Sequence, residues 1–275
     1  MAIKLIALDI DGTLLNSKME VTAAAIEALN KAVARGIHIV LSTGRLVVEC
    51  ADILEKLPCI RYVNGCTGAE VTDLKTGRSV AGRRISGDEA RRIYSKLKDL
   101  PIMFCAFDPK DGAPHCSRER WQQSVDNASP PVRRHIKKFY TPEDSFEDYI
   151  ANVQELIKVY MPCFTQEALV EVKRRMAAEP YTVVQCSATD MEIMPVGADK
   201  GAGLEQLAQV LGLTSSEVMA IGDSENDLSM LRYAGLPVVM ANGSDEAKAL
   251  AKYITDDNNH DGAAKAVNMV LEGTL

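Results

Sequence analysis

The chain has 275 residues, 47% of them hydrophobic, which is enough for one large or two ordinary domains with a real core. Its formal charge of -7 argues against a nucleic-acid backbone as partner, and a single Trp leaves little to stack on bases. No stretch reaches the about 18 apolar residues of a membrane span, and residues 1–4 lead straight into an apolar run without a signal peptide, so a cytoplasmic location is expected. The seven cysteines (Cys50, Cys59, Cys66, Cys105, Cys116, Cys163 and Cys186) are scattered and form no C-x-x-C, which fits reduced thiols and neither a disulfide framework nor a zinc site.

Ile3 to Leu8 is a nearly unbroken apolar run, expected as a strand buried on both faces; it ends on Asp9 and Asp11, then Gly12. Val21 to Ala34 carries apolar residues at helical spacing and stops at Gly36. Ile37 to Leu41 is the next strand, ending in Ser42-Thr43-Gly44-Arg45, and Leu46 to Lys56 reads as a helix halted near Pro58. Ile60 to Val63 is a third strand ending at Asn64-Gly65, which completes one wound half of a parallel sheet. Glu70 to Asp73 and Arg78 to Arg83 form a hairpin.

The middle changes character. Helices are expected over 87–100, 145–151 and 167–178, and strands over 102–107, 156–161, 181–187 and 191–194. Arg118 to Val125 is a polar stretch without a clear element, and Asn127 to Lys138 reads as a solvated loop with a basic cluster around Arg133. These strands lack acidic ends, so residues 84–192 are expected as a separate α/β domain inserted into a core of 1–83 and 193–275. Asp199-Lys200-Gly201 then opens a helix, and Val218 to Ile221 is a buried strand ending in Gly222-Asp223-Ser224-Glu225-Asn226-Asp227. A helix to Tyr233, a strand to Met240, Ala241-Asn242-Gly243 and a last helix from Asp261 follow; the acidic run 256–262 reads as a solvated turn.

If the strands before Asp9 and Asp223 lie side by side, Asp9, Asp11, Asp223 and Asp227 surround one point. Four acids in a small pocket require a cation, and Mg²⁺ is the expected one. Asp9 can then act as nucleophile toward a phosphoryl group, and Asp11 can protonate the leaving oxygen and later activate water. Thr43 offers a hydroxyl to phosphate oxygens, and Gly12 and Gly44 allow the backbone to approach them. Lys200, at a helix start, adds positive charge and can keep Asp9 ionised, and Asn226 can orient Lys200 or meet the phosphate. Arg45 and Asn64, on loops at the same sheet end, are expected to meet substrate.

Asp9-Ile10-Asp11-Gly12-Thr13-Leu14 resembles the first motif of the haloacid dehalogenase superfamily, and the chain as a whole resembles its Cof-type phosphatases. Ser42-Thr43-Gly44-Arg45, Asp199-Lys200-Gly201 and the Gly222–Asp227 run follow in matching order. The resemblance implies a Rossmann-like doubly wound core with an inserted α/β cap of the IIB type. It also implies Mg²⁺ held by Asp9, the Asp11 carbonyl and Asp223, with Asp227 as an auxiliary ligand. The expected activity is Mg²⁺-dependent hydrolysis of a small phosphorylated metabolite, such as a sugar phosphate or cofactor intermediate, through an aspartyl-phosphate. No obligate protein partner is expected. A phosphomutase with the same intermediate and a phosphoryl-accepting signalling module are the alternatives, the second disfavoured by the inserted domain.

Overall fold

The computed structural model describes residues 2–110, 112–185 and 187–275, which divide into two compact units: residues up to 82 with 198–275, and residues 83–197. Cys186 lies outside the described residues; the other six cysteines are free thiols.

The first unit begins with β1 (Leu5–Leu8), α1 (Ala23–Ala34), β2 (His38–Ser42), α2 (Ala51–Lys56), β3 (Tyr62–Gly65), β4 (Glu70–Asp73) and β5 (Arg78–Gly82). Thr22 caps α1, its hydroxyl accepting from the Ala25 N–H at 3.2 Å. The helix expected from Leu46 begins instead as a 3-10 turn over Val47–Cys50.

The second unit holds β6 (Ile85–Ser86), α3 (Gly87–Leu97), β7 (Cys105–Phe107), β8 (Pro114–Ser117), α4 (Arg118–Asn127), α5 (Pro130–Phe139), β9 (Thr141–Glu143), α6 (Phe146–Asn152), β10 (Glu155–Leu156), β11 (Val159–Pro162), α7 (Gln166–Met176), β12 (Thr182–Gln185) and β13 (Asp190–Met194). Six of its strands form a sheet in the order β12-β13-β11-β7-β8-β9, and β6 pairs with β10. Ala106, Val159, Met161, Met191 and Ile193 pack from this sheet against Ala90, Ile93 and Leu97 of α3, Ile150 of α6 and Val172 of α7.

Two sequence expectations fail here. The polar stretch after Ser117 is helix α4, capped by the Ser117 hydroxyl accepting from the Arg120 N–H at 3.3 Å. The basic stretch taken as a loop is helix α5. Pro130 and Pro131 occupy its first turn, where no N–H is needed, and of the apolar positions at helical spacing, Val132, Ile136 and Phe139, only Ile136 is buried. The return to the first unit also falls later than residue 193: Ile193 opposite Val159 and Met194 opposite Thr182 hold that segment in the second unit.

The chain then completes the first unit with α8 (Lys200–Val210), β14 (Val218–Gly222), α9 (Leu228–Tyr233), β15 (Leu236–Val239), α10 (Asp245–Lys248), β16 (Tyr253–Ile254) and α11 (Gly262–Glu272). The sheet order is β16-β15-β14-β1-β2-β3-β4-β5, parallel from β16 to β3 and antiparallel beyond. Both faces are covered, which is why the strands read as unbroken apolar runs. Ile6, Leu8, Ile39 and Leu41 face α1 and α11, whereas Leu5, Ala7, Val40 and Ala220 face Leu204 and Leu207 of α8 and Met230 of α9. Each such Leu or Ile side chain contributes about 1.5–3 kcal/mol by leaving water. Leu8 lies opposite Ile221 on one side and Leu41 on the other, so the two acidic strand ends are adjacent at the point where the winding reverses. Open α/β sheets place their ligands at such a point.

Candidate active site

Asp9 follows β1, fixed by its N–H on the Ile221 carbonyl at 3.0 Å, and the residue is 4% exposed. Lys200 opens α8 and is wholly buried. Its ammonium donates to Asp9 Oδ1 at 2.6 Å, Asp227 Oδ1 at 2.6 Å and Asn226 Oδ1 at 3.2 Å, which uses all three of its protons. A lysine reaches this depth because α8 starts against close neighbours: Asp199 caps it, its carboxylate accepting from the Ala202 N–H at 2.8 Å. The Gly201 N–H donates to Ser229 Oγ at 3.0 Å.

Asp227 was expected among the metal ligands, but its oxygens are engaged within the protein. Oδ1 takes the Lys200 proton, and Oδ2 accepts from the N–H groups of Asp223 at 2.9 Å and Ser224 at 3.0 Å. It therefore folds the Gly222–Asp227 turn and anchors Lys200. Asp223 is half-buried and aims into the same space; Thr13 Oγ1 donates to its Oδ1 at 3.1 Å. Gly12 is required beside it: φ is +89°, and a Cβ there would lie 2.4 Å from Asp223 Oδ2.

Asp9, Asp223 and Asp227 each offer a carboxylate oxygen within 4.8 Å of the others. One ammonium faces three carboxylates, so the pocket is short of positive charge. Burial, with the charge of Asp227 adding to it and Lys200 opposing it, pushes Asp9 up to about 7. Burial and the Asp227 charge raise Asp223 as well. Burial alone would depress Lys200, yet the carboxylates of Asp9 and Asp227 outweigh it and hold the ammonium above its ordinary value. These shifts are compatible because Lys200 leans on Asp227 too: the lysine stays ionised, and the excess negative charge invites a proton or a metal ion on the Asp9 side. Asp9 Oδ2 is buried and has no hydrogen-bond partner.

The phosphate-loop candidates lie at the end of β2. Thr43 Oγ1 accepts from the Arg45 N–H at 3.1 Å, which leaves its own proton to give. Arg45 forks onto Asp11, Nε donating to Oδ2 at 2.9 Å and Nη2 pairing with Oδ1, so it engages the second aspartate of the motif and not an open mouth. Asn64, expected to meet substrate, is wholly buried and cannot. Its Nδ2 donates to Ser42 Oγ at 2.9 Å and to the Lys200 carbonyl at 2.8 Å, bolting β2 and β3 to the start of α8. Asn242 donates to the Gly12 carbonyl at 2.8 Å, and its Oδ1 takes the Asn258 N–H at 3.1 Å. The acidic turn is thus a clasp on the first motif, with Asn258 Nδ2 on the Leu15 carbonyl at 2.8 Å. Neither role leaves a local signal, because the partners are backbone atoms more than 200 residues away. His115 pairs with Glu143 at 2.7 Å within the second unit. No helix among the described residues is long and apolar enough to cross a membrane.

A doubly wound sheet with carboxylates on adjacent strand ends and a buried lysine between them forms a charged site at the switch point of the winding, of the kind that binds a cation and an anionic ligand together. Residues 6–267 match the family model of the haloacid dehalogenase-like hydrolases, and the chain belongs to that family. A Streptococcus pyogenes serotype M6 protein with a provisional phosphatase name, M6_Spy0533, is 34% identical over 274 residues, 97% of this chain and 98% of its own. The 5-amino-6-(5-phospho-D-ribitylamino)uracil phosphatase YcsE of Bacillus subtilis is 30% identical over 265 residues, 96% of this chain and 94% of its own. A solved haloacid dehalogenase-like hydrolase from B. subtilis superposes with a TM-score of 0.75 at 30% identity, covering 97% of this chain and 99% of that one.

Proposed function

We propose that this phosphatase hydrolyses phosphate monoesters of small metabolites through a phosphorylated Asp9. The observation that carries the reading is the Asp9 carboxylate, buried with one oxygen held by Lys200 and the other without any partner. The Asp9 carboxylate attacks phosphorus through one of its oxygens, and the ester oxygen departs with a proton supplied by Asp11. Water then attacks the phosphorylated Asp9, gives its proton to Asp11, and releases phosphate as the carboxylate returns. Thr43 and the Gly44 backbone donate to the phosphoryl oxygens, and Arg45 keeps Asp11 turned toward the reaction.

The surplus of carboxylates and the orphaned Asp9 oxygen fit a hard divalent cation such as Mg²⁺. Asp9, Asp223 and the Asp11 carbonyl would hold it, with Asp227 behind them. When bound it offsets the repulsion between Asp9 and a phosphate dianion. The named substrate of YcsE, a phosphorylated ribityl chain, supports phosphorylated sugars and polyols as the first substrates to try. The test is phosphate release from a panel of sugar, polyol and cofactor phosphates, with Mg²⁺ or with chelator, and with Asp9→Asn as the blank. Mg²⁺-dependent release absent from Asp9→Asn is expected. Full activity in that variant would overturn the nucleophile assignment, and release indifferent to chelator would overturn the metal.

A further inference from the structure

The segment after β3 carries the least comfortable backbone near the site. Cys66 has φ +48°, Thr67 +51° and Gly68 +84°, three left-handed residues in succession. Glycine adopts that conformation freely; a β-branched threonine does so rarely, and such outliers persist where the surroundings enforce them. Here the enforcement is visible. The Cys66 N–H donates to the Arg45 carbonyl and the Thr67 N–H to the Thr43 carbonyl, both at 3.0 Å. On the other side, a Cβ on Gly68 would lie 1.8 Å from the Asp199 carbonyl oxygen. The turn is wedged between the Thr43–Arg45 loop and the start of the helix that carries Lys200.

Its geometry aims one group. Thr67 Oγ1 is the nearest atom to the position a Gly44 side chain would occupy, at 3.5 Å. Thr67 is partly exposed, and its hydroxyl makes no hydrogen bond with the described residues. A hydroxyl held beside the loop expected to receive phosphate, on a residue type poorly suited to that backbone, has a proton to give and nothing in the protein to give it to. Glycine or asparagine would satisfy the turn at less strain, so the backbone path does not explain the threonine.

We infer that Thr67 is a substrate-binding residue whose hydroxyl donates a hydrogen bond to the phosphoryl group bound over Gly44. This rests on the reading of the Thr43–Arg45 loop as the phosphate loop. It extends the anion site to a third strand end, β3, joining the ends of β1 and β2.

Three variants test it. Thr67→Val keeps the shape and the branching and removes the hydroxyl; Thr67→Ser keeps the hydroxyl; Thr67→Gly removes both the hydroxyl and the strain. A hydrogen bond to a charged group is worth about tenfold to hundredfold in binding. Thr67→Val is expected to weaken inorganic phosphate, measured as a competitive inhibitor and by calorimetry with Mg²⁺ present, by at least about tenfold. Its kcat/KM should fall by a similar factor with the melting temperature held. Thr67→Ser should recover to within about threefold, and Thr67→Gly should match Thr67→Val in affinity without melting earlier. Unchanged phosphate affinity in Thr67→Val overturns the proposal, as does a loss that tracks a fall in melting temperature and is not recovered by Thr67→Ser. Phosphate calorimetry is independent of turnover: a wild type that binds phosphate and releases none from any ester would count against the hydrolytic reading while leaving Thr67 tested.

Discussion

Replacing Lys200 by Met tests the electrostatic account of the site most directly. Methionine nearly matches the length and volume of the lysine and removes only the charge and its three hydrogen bonds. Asp9 and Asp227, each 2.6 Å from the ammonium, then face one another in a buried pocket. Removing one partner of a buried ion network costs about 3–5 kcal/mol, because the surviving charges stay desolvated. At roughly 2–4 °C per kcal/mol for a unit of this size, melting should fall by about 6–20 °C. The sign of the pH dependence follows. Without the lysine, Asp9 loses the charge that opposes its burial and is raised further, so the folded state binds a proton more readily than the unfolded one. The deficit should be largest near about pH 8 and shrink as the pH falls toward about 5. Scanning calorimetry in chelator across that range reads it, and millimolar Mg²⁺ should return part of the loss. A variant that melts with the wild type at the alkaline end, or whose deficit grows on acidification, would refute the reasoning.

The wild type in chelator should itself gain stability as the pH falls from about 7 toward 4. Burial raises Asp9 to about 7, so its neutral form is the one the fold prefers, and stability is lost as the pH rises through that value. Saturating Mg²⁺ should flatten the profile in thermal-shift measurements, and a flat profile in chelator would count against a strained Asp9. Asn64→Ala should cost about 1–3 kcal/mol by stranding the Lys200 carbonyl and Ser42. Its kcat should fall with little change in KM, because Asn64 touches no substrate; a pure KM effect would restore it as a binding residue. Arg45→Ala should barely move the melting temperature, since its partner Asp11 is about half exposed and such pairs are worth about 0–1 kcal/mol. Its kcat should drop about tenfold as Asp11 loses its orientation, and wild-type turnover would refute that role.

Much of the core was legible because its strands are buried on both faces and so appear as apolar runs ending in charged residues. Ile3–Leu8 and Val218–Ile221 announce themselves, and each delivers its acids at a boundary that pattern alone locates. The second unit was less legible. Helix α5 carries Arg133, Arg134, Lys137 and Lys138 among its ten residues, and its apolar face is only Val132, Ile136 and Phe139, so the charge cluster and the two prolines suggest a loop until the prolines are seen in the first turn. The ends of α8 and α9 were readable, but the depth of Lys200 was not, since a lysine after an aspartate usually faces water.

From the sequence alone came the acidic strand ends, the order of the motifs and the class of chemistry, because these depend on residue type and local period. Tertiary structure alone decided how each polar group is employed. It turned Asn64 away from substrate and onto the Lys200 carbonyl, placed Arg45 on Asp11, and engaged both oxygens of Asp227. It also brought Asn242 and Asn258 onto the first motif. Hydrogen-bond partners are chosen by proximity in space, and for Asn64, Asn242 and Asn258 the partners lie 136, 230 and 243 residues away, where no local pattern encodes them. Burial, which moves Asp9 and Asp223 above the ordinary carboxylate range, is likewise a property of everything packed around a group.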